Sequence, residues 1–258
     1  MVALGDLLSL ETIHLDVAVN TWRESIESAG ALLQTQKISG ETYTRKMIKN
    51  VEENGPYIVI TPGFAFAHAR ADESVACTGM SFIRLKNPIH FGHEKNDPVH
   101  LVLALAAVDS EAHQSALAQL AKILSDGEKR RRLDTAQTPE DVLAIFKETL
   151  DTSVSAQGAD PSRNKNLVLT VCGNGLGTSL FLKNTLEQVL DRWGWSPYLT
   201  VEATDTISAR GKTGDADFIL TSGEIAKTLG EVNIPVKIIQ DFTSQREIDT
   251  ALREIYDI

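Results

Sequence analysis

A cysteine opens a glycine-rich loop in the second half of the chain, where Val171–Ser179 reads Val-Cys-Gly-Asn-Gly-Leu-Gly-Thr-Ser. The loop follows a short apolar run, Leu167–Val171, that is typical of a buried parallel strand, and precedes apolar residues at helical spacing over Leu180–Trp193. Cys172 is therefore expected at the carboxyl end of a strand, facing a helix N-terminus that favours an anion. The same field would lower the thiol pKa, which predicts a thiolate-prone nucleophile.

Residue spacing excludes three common uses of such a loop. A dinucleotide fingerprint counted from Gly173 needs glycine where Thr178 stands, and a Walker loop needs lysine where Gly177 stands. A cysteine phosphatase would carry an arginine clamp at position 178, which is the same threonine. A phosphoryl acceptor remains, with a buried core cysteine in a tight turn as the alternative. The expected phosphate-binding residues are Gly173, Asn174, Gly175, Leu176, Gly177, Thr178 and Ser179.

The first half carries a histidine in a run of small and apolar residues, Gly55–Arg70, which reads GPYIVITPGFAFAHAR. His68 is flanked by Ala67 and Ala69, and these small neighbours are expected to leave the imidazole accessible to a partner molecule. An accessible imidazole can act as a base, a metal ligand or a phosphoryl acceptor. A surface or satisfied core histidine is the alternative.

Composition restricts the class of protein. The 258 residues are 42% hydrophobic, without an apolar run of 18 residues or a basic N-terminal region followed by an apolar stretch, which predicts an intracellular protein with real cores. Cys77 and Cys172 fall in different halves, so no disulfide framework is expected, and Cys77 is expected in the core. The net charge of −10 argues against nucleic acid as a partner. The basic cluster Lys129–Arg132 is expected to be a solvated helix end.

A polar stretch divides the chain into two predicted domains, 1–150 and 166–258. The stretch itself, residues 151–165, reads DTSVSAQGADPSRNK and is predicted to be a linker. The second domain alternates short apolar runs with helical patterns, which predicts an α/β fold with a small four-stranded parallel sheet and helices on both faces. The first domain combines helical patterns with apolar runs, which predicts a mixed sheet covered by helices. The helical patterns lie at 20–34, 41–53, 110–124 and 139–150, and the apolar runs lie at 55–70, 75–85 and 99–108.

The motifs resemble two components of one bacterial system. The Gly55–Arg70 run, with FGHEKNDP at Phe91–Pro98 and LALAA at Leu103–Ala107, resembles the enzyme IIA domain of the phosphotransferase system, in the fructose/mannitol superfamily and its ascorbate branch. The CGNGLGTS loop resembles the IIB domain of the ascorbate and galactitol type. The resemblance implies a relay: the histidine phosphocarrier protein phosphorylates IIA, IIA phosphorylates IIB, and IIB phosphorylates a sugar, here L-ascorbate, held by a membrane IIC component.

Carried over residue by residue, the resemblance makes His68 the phosphohistidine, Cys172 the phosphocysteine and His113 a second histidine that helps to bind the phosphoryl oxygens. Two positions depart from the family pattern: Ala67 stands where proline is usual, and Met47–Asn50 stands where the mannitol branch has an arginine. Arg70 or Lys49 could supply the missing charge. The resemblance further implies a cytoplasmic protein that meets the membrane through IIC, without metal or cofactor, and leaves a homodimer open.

Three alternatives remain open at the level of sequence. His90, His93 and His100 have a spacing that could hold zinc if the three side chains converged. A regulatory module that senses phosphorylation without passing it to sugar would share the same domains. The sugar could also be of the galactitol, fructose or mannitol type.

Overall fold

The computed structural model describes residues 4–70, 72–108, 110–148, 166–172 and 177–256. The chain forms two compact units, Met1–Asp151 and Thr152–Ile258. The predicted linker at 151–165 lies outside the described residues. The first unit holds a mixed five-stranded sheet with helices, and the second holds a four-stranded parallel sheet with helices. The predicted fold class is thus confirmed.

The described strands of the first unit form one sheet in the order β1-β4-β5-β3-β2. β1 pairs parallel with β4, β4 antiparallel with β5, β5 parallel with β3, and β3 antiparallel with β2. In chain order the described elements are two 3₁₀ turns (Leu4–Leu7 and Leu10–Thr12), β1 (Ile13–Val17), α1 (Trp22–Thr35), α2 (Glu41–Asn54), β2 (Val59–Thr61), β3 (Phe64–His68), β4 (Gly79–Ile89), β5 (Val99–Ala106), α3 (Ser110–Ser125), α4 (Gly127–Thr135) and α5 (Pro139–Lys147).

Local chemistry explains where two of these helices begin. The Thr21 hydroxyl accepts a hydrogen bond from the Glu24 N–H at the start of α1. Thr138 and Asp141 form a reciprocal capping box at the start of α5, with Pro139 in the first turn, where its missing N–H costs nothing. These signals are local, so the sequence places both starts to within about two residues.

The two strands that lead to the predicted histidine site are buried along their whole length. Every residue of β3 is buried, and in β5 only His100 is partly exposed. Because successive strand residues face opposite sides, continuous burial means that both faces of the sheet are covered. The loops that follow β3 and β5 therefore begin directly at the end of a buried part of the sheet.

Three expectations for the first unit are wrong in detail. β4 begins at Gly79 and runs through Pro88 to Ile89, so it starts later and ends later than the apolar run 75–85 that indicates it. Cys77 precedes β4 and is exposed, so it does not belong to the core. The basic cluster lies on a separate helix, α4, where the Arg130 side chain is only 15% exposed, pairs with Asp134 and donates to the Pro62 carbonyl.

The second unit contains, among its described residues, β6 (Asn166–Cys172), α6 (Gly177–Trp193), β7 (Leu199–Asp205), α7 (Thr206–Lys212), β8 (Ala216–Thr221), α8 (Gly223–Leu229), β9 (Val236–Ile238) and α9 (Gln245–Tyr256). All strand pairs are parallel, in the order β7-β6-β8-β9. α6 packs with α9 and α7 packs with α8, as right-handed crossovers on two faces require. Because the strands are parallel, their carboxyl ends share one edge of the sheet.

Over the part of the chain that the structure describes, no helix combines the length and the apolar character needed to cross a membrane.

Gly30 of α1 packs closely against Thr44 of α2, so a substitution at Gly30 tests the packing between these two helices. Replacing Gly30 with alanine would place a Cβ inside the van der Waals radius of the Thr44 side chain, next to its hydrogen bond with Gln34. We expect Gly30→Ala to lower the free energy of unfolding by about 1–3 kcal/mol, as overpacking usually does. Urea denaturation of the full chain measures this change. Gly127→Ala, at a helical site with open space around it, is the matched control and should leave stability unchanged or slightly higher.

Candidate functional site

His68 is the last residue of β3 and lies in register with Leu105 of the parallel strand β5. Its side chain is packed rather than accessible, because the residue is only 3% exposed. The imidazole stacks on Phe66, with ring centroids 4.8 Å apart, and meets Tyr57 edge-on at 6.1 Å. The small alanines beside His68 therefore do not leave the ring open, since aromatic side chains cover it.

The hydrogen bond made by Nδ1 fixes the tautomer of His68. Nδ1 lies 3.1 Å from the carbonyl oxygen of Phe66, and a carbonyl only accepts, so Nδ1 carries the proton. The lone pair of the neutral ring is then on Nε2. Burial lowers the pKa of His68 to about 4, and the hydrogen bond to Phe66 opposes this shift only in part. At neutral pH the ring is uncharged and Nε2 is a nucleophile.

Tyr43, a residue that the sequence argument missed, ties together the chain on both sides of this site. Its hydroxyl lies 2.9 Å from the Ala69 carbonyl and 2.8 Å from the Leu105 carbonyl, and accepts a hydrogen bond from the Ala69 N–H. Burial raises the pKa of Tyr43 to about 12, so the hydroxyl keeps its proton. Apolar spacing with Met47 along α2 signals that Tyr43 is buried, but sequence cannot show what its hydroxyl binds.

Lys49, one of the two residues expected to supply a positive charge at the His68 site, does not point at that site. Lys49 is exposed and lies 3.5 Å from Glu53, one turn along α2. Its neighbour Asn50 instead points at the site, with its amide nitrogen 3.4 Å from the His68 carbonyl. Arg70 is exposed, two residues after His68. His113 lies in the first turn of α3, the helix that follows β5, and its side chain falls outside the described residues.

The histidines considered for zinc do not converge. His93 is buried and its Nδ1 accepts from the Asn96 N–H at 3.1 Å, whereas Nε2 of His100 lies 2.9 Å from Asp134. The His90 side chain is 79% exposed. Within the described ranges no group of three or more histidine, cysteine, aspartate or glutamate side chains could hold a metal ion. The geometry gives zinc no support there.

The FGHEKNDP segment has a structural role at the opposite edge of the first sheet. The Asp97 carboxylate accepts hydrogen bonds from the N–H groups of Phe91, Gly92 and His93. Asn96 accepts from the Gly63 N–H and donates to the Val59 carbonyl. The segment thus fixes the chain where β3 begins, whereas His68 lies where β3 ends.

Cys172 is the last residue of β6, at the carboxyl edge of the second sheet, between β7 and β8. The thiol donates to the Ser179 hydroxyl at 3.3 Å, and Thr178 and Ser179 are buried in the first turn of α6. The predicted strand-to-helix placement of Cys172 is confirmed. Gly177 begins α6, whereas Gly173, Asn174, Gly175 and Leu176 lie outside the described residues.

The pKa of Cys172 shifts in the direction opposite to the one expected. Burial raises the pKa of this thiol, which is 2% exposed, because a thiolate loses its hydration there. The hydroxyl and N–H of Ser179 and the Thr178 hydroxyl oppose the shift, and the Asp205 carboxylate adds to it. The helix N-terminus does face the sulfur, as predicted, but desolvation is the larger effect.

One unit thus holds a neutral buried imidazole at a strand end, and the other holds a thiol beside a helix N-terminus. Residues 6–149 match the family described as phosphoenolpyruvate-dependent sugar phosphotransferase system, EIIA 2. Residues 167–254 match the lactose/cellobiose-specific IIB subunit family of the same system. The chain belongs to the EIIA 2 family and carries a IIB domain after it; both are phosphotransferase components, as predicted.

Named relatives support the IIA assignment. The ascorbate-specific EIIA component of Salmonella typhimurium is 36% identical over 139 residues, covering 54% of this chain and 90% of that protein. The Escherichia coli K12 protein of the same name is 35% identical over 140 residues, covering 54% and 91%. The ascorbate/galactitol type predicted for the IIB half is not confirmed, because the family matched there is the lactose/cellobiose type.

Solved structures agree with the fold of the IIA part. A putative IIA domain from Streptococcus pyogenes M1 GAS aligns with a TM-score of 0.52 at 29% identity, covering 59% of this chain and 98% of that one. The mannitol-specific cryptic enzyme IIA of Escherichia coli aligns with a TM-score of 0.52 at 26% identity, covering 57% and 99%.

The lowered pKa of His68 predicts a pH dependence of stability. The unfolded side chain binds its proton near pH 6.5 and the folded one only near pH 4, so acid favours the unfolded state. Above pH 6.5 the titration of His68 should not affect the free energy of unfolding. Between pH 6.5 and 4 we expect this titration to lower the free energy of unfolding, by at most about 3 kcal/mol. Urea titrations across this window, with His68→Gln as the non-titrating reference, measure the difference in slope. Equal slopes for the two proteins would contradict the buried neutral ring.

Loss of the Tyr43 hydroxyl should loosen the His68 edge without changing its packing. We expect Tyr43→Phe to lower the free energy of unfolding by about 1–3 kcal/mol, because the Ala69 and Leu105 groups lose their buried partner. Amide hydrogen exchange at Ala69, the residue after β3, should speed up more than exchange within β3. Tyr198→Phe, which removes a hydroxyl from a side chain that is 60% exposed, is the control and should be neutral. Unchanged exchange at Ala69 would refute the assignment.

Proposed function

We propose that this chain is a two-station phosphoryl carrier of sugar uptake. The histidine phosphocarrier protein phosphorylates His68, His68 passes the group to Cys172, and Cys172 passes it to a sugar hydroxyl on a membrane IIC component. The observation that carries the proposal is the Nδ1–H bond of His68 to the Phe66 carbonyl, which leaves a neutral ring with its lone pair on Nε2. The family assignment of both domains agrees with it.

At the first station the nucleophile needs no deprotonation. The Nε2 lone pair attacks phosphorus as the phosphorus–nitrogen bond of the donor breaks, and that electron pair returns to the donor ring. Positive charge develops on the His68 ring and is shared with the Phe66 carbonyl through Nδ1–H. Phosphoryl transfer has a loose transition state, so positioning and charge neutralisation supply most of the catalysis. We assign the supporting roles to His113 and Arg70.

At the second station the thiol must first lose its proton to solvent. The Cys172 thiolate then attacks the phosphohistidine, the nitrogen–phosphorus pair returns to Nε2, and a sulfur–phosphorus bond forms. The Ser179 N–H points at the sulfur, and the Ser179 hydroxyl, which accepts from the thiol, would turn to donate to the thiolate. Both groups would bind the added negative charge, with residues 173–178 as the rest of the phosphate cradle. Attack by the sugar hydroxyl breaks the sulfur–phosphorus bond and returns its pair to sulfur, and the proton that the hydroxyl releases restores the thiol.

We propose L-ascorbate as the sugar, because the IIA relatives carry that name. The lactose/cellobiose family of the IIB part makes a disaccharide the competing substrate class. The protein would work in the cytoplasm and meet the inner face of the membrane through IIC. A panel of ascorbate, galactitol, mannitol, fructose, lactose and cellobiose, offered to membranes that contain the cognate IIC, separates these substrates.

Labelling of the full chain with [³²P]phosphoenolpyruvate, enzyme I and the phosphocarrier protein tests the relay. We expect label on His68 and Cys172 in the unaltered protein, on neither residue in His68→Ala, and on His68 alone in Cys172→Ser. Mass spectrometry at controlled pH locates the label.

The control for this experiment is His90→Ala, which removes an exposed histidine from the same unit and should label like the unaltered protein. Label on Cys172 in His68→Ala would show that the order is wrong. Normal labelling of both residues without any transfer to the sugar panel would favour a regulatory module.

A further inference from the structure

Asp205 stands directly beside Cys172 at the carboxyl edge of the second sheet. It is the last residue of β7 and pairs in register with Cys172 of β6. Neighbouring strands run about 4.8 Å apart, and residues in register in a parallel pair project from the same face of the sheet. A carboxylate therefore borders the site where the phosphoryl group would be held.

The position of this carboxylate is fixed by hydrogen bonds. Asp205 caps α7, accepting from the N–H groups of Ile207 and Ser208 at 2.9 and 2.8 Å and from the Ser208 hydroxyl at 3.2 Å. Three hydrogen bonds hold the Asp205 carboxylate in place at the start of α7.

The groups around Cys172 from the neighbouring elements are mostly neutral. α6 presents the Ser179 and Thr178 hydroxyls, and Thr221 at the end of β8 donates to the Val171 carbonyl. The basic side chains on the flanking helices are bound elsewhere: Lys183 to Glu187, Lys212 to Glu202, and Arg210 to the Leu229 carbonyl. The charged residues of α8 are Glu224 and Lys227. Burial is the main cause of the raised pKa of the Cys172 thiol, and among the described residues the Asp205 carboxylate adds to it.

We propose that Asp205 makes phosphorylated Cys172 a strong phosphoryl donor, by disfavouring negative charge on the sulfur and on the phosphoryl group attached to it. The inference rests on the proposed phosphorylation of Cys172. Phosphocysteine carries more negative charge than the thiol or thiolate, so a fixed neighbouring anion destabilises it most. When the acceptor hydroxyl takes the phosphoryl group, that charge leaves the site and the electron pair of the sulfur–phosphorus bond stays on sulfur. Asp205 thereby favours onward transfer over storage.

The test compares Asp205→Asn with the unaltered full chain. Asparagine caps helices as well as aspartate does, so the variant removes the charge and keeps the cap. We expect the Cys172 titration, followed by the ¹³Cβ chemical shift, to move to lower pH, so that the thiolate fraction at a given pH rises severalfold. The ratio of phospho-Cys172 to phospho-His68 at equilibrium should rise by a similar factor.

Controls separate charge from folding. Asp126→Asn removes the same charge from a helix cap with the same two backbone bonds, in the other unit, and should leave the Cys172 titration unchanged. Cys77 is exposed and reports any general change in the same spectra. If Asp205→Asn does not fold, Asp205→Ser also keeps a capping oxygen without the charge.

An unchanged Cys172 titration in a folded variant would overturn the inference. An unchanged ratio of phospho-Cys172 to phospho-His68 alongside a shifted titration would overturn the part that concerns transfer. The titration needs no phosphate donor, so it stands even if the unaltered protein takes no label, an outcome that would refute the proposed function instead.

Discussion

Burial of a reactive side chain at the carboxyl end of a central strand is the constraint on which both sites depend. Desolvation disfavours the charged form of any group, but its chemical consequence differs between the two residues. For His68, burial lowers the pKa to about 4 and leaves the ring uncharged, which is the form in which an imidazole can act as a nucleophile. For Cys172 the charged thiolate is the nucleophile, so burial, which raises the pKa, restrains it. Desolvation therefore leaves His68 in its nucleophilic form and keeps Cys172 in its less reactive, protonated form.

The fold produces this burial through apolar strands covered on both faces. Such strands fix backbone position tightly, and the polar groups at their ends must then find partners. At the His68 edge the Tyr43 hydroxyl satisfies Ala69 and Leu105, while Phe66 takes the ring proton. At the Cys172 edge the first turn of α6 supplies Ser179. Each station is thus held by a partner from a helix that packs on its own sheet.

The difference between the stations suits a relay with a direction. A thiol that resists ionisation, beside the fixed Asp205 carboxylate, gains little by keeping a phosphoryl group and releases charge by giving it up. The two halves also differ in their relatives, ascorbate-specific proteins for the first and a lactose/cellobiose family for the second. The relatives of the two halves therefore do not agree on one sugar.

The sequence by itself determined what is local: the strand-to-helix junction at Cys172, the caps of α1 and α5, the fold class, and His68 and Cys172 as the candidate residues. All of these except His68 follow from periodicity, spacing and capping chemistry within a few residues of each other, whereas His68 was selected by the resemblance of its motif to a known family. The tertiary structure alone decided what depends on pairing between distant segments. It covered His68 with Tyr57 and Phe66, left Cys77 exposed, turned Asn50 rather than Lys49 toward the site, and set Asp205 beside Cys172. Burial and charge proximity are properties of the packed chain, which is why the pKa of Cys172 moved against the expectation from its loop.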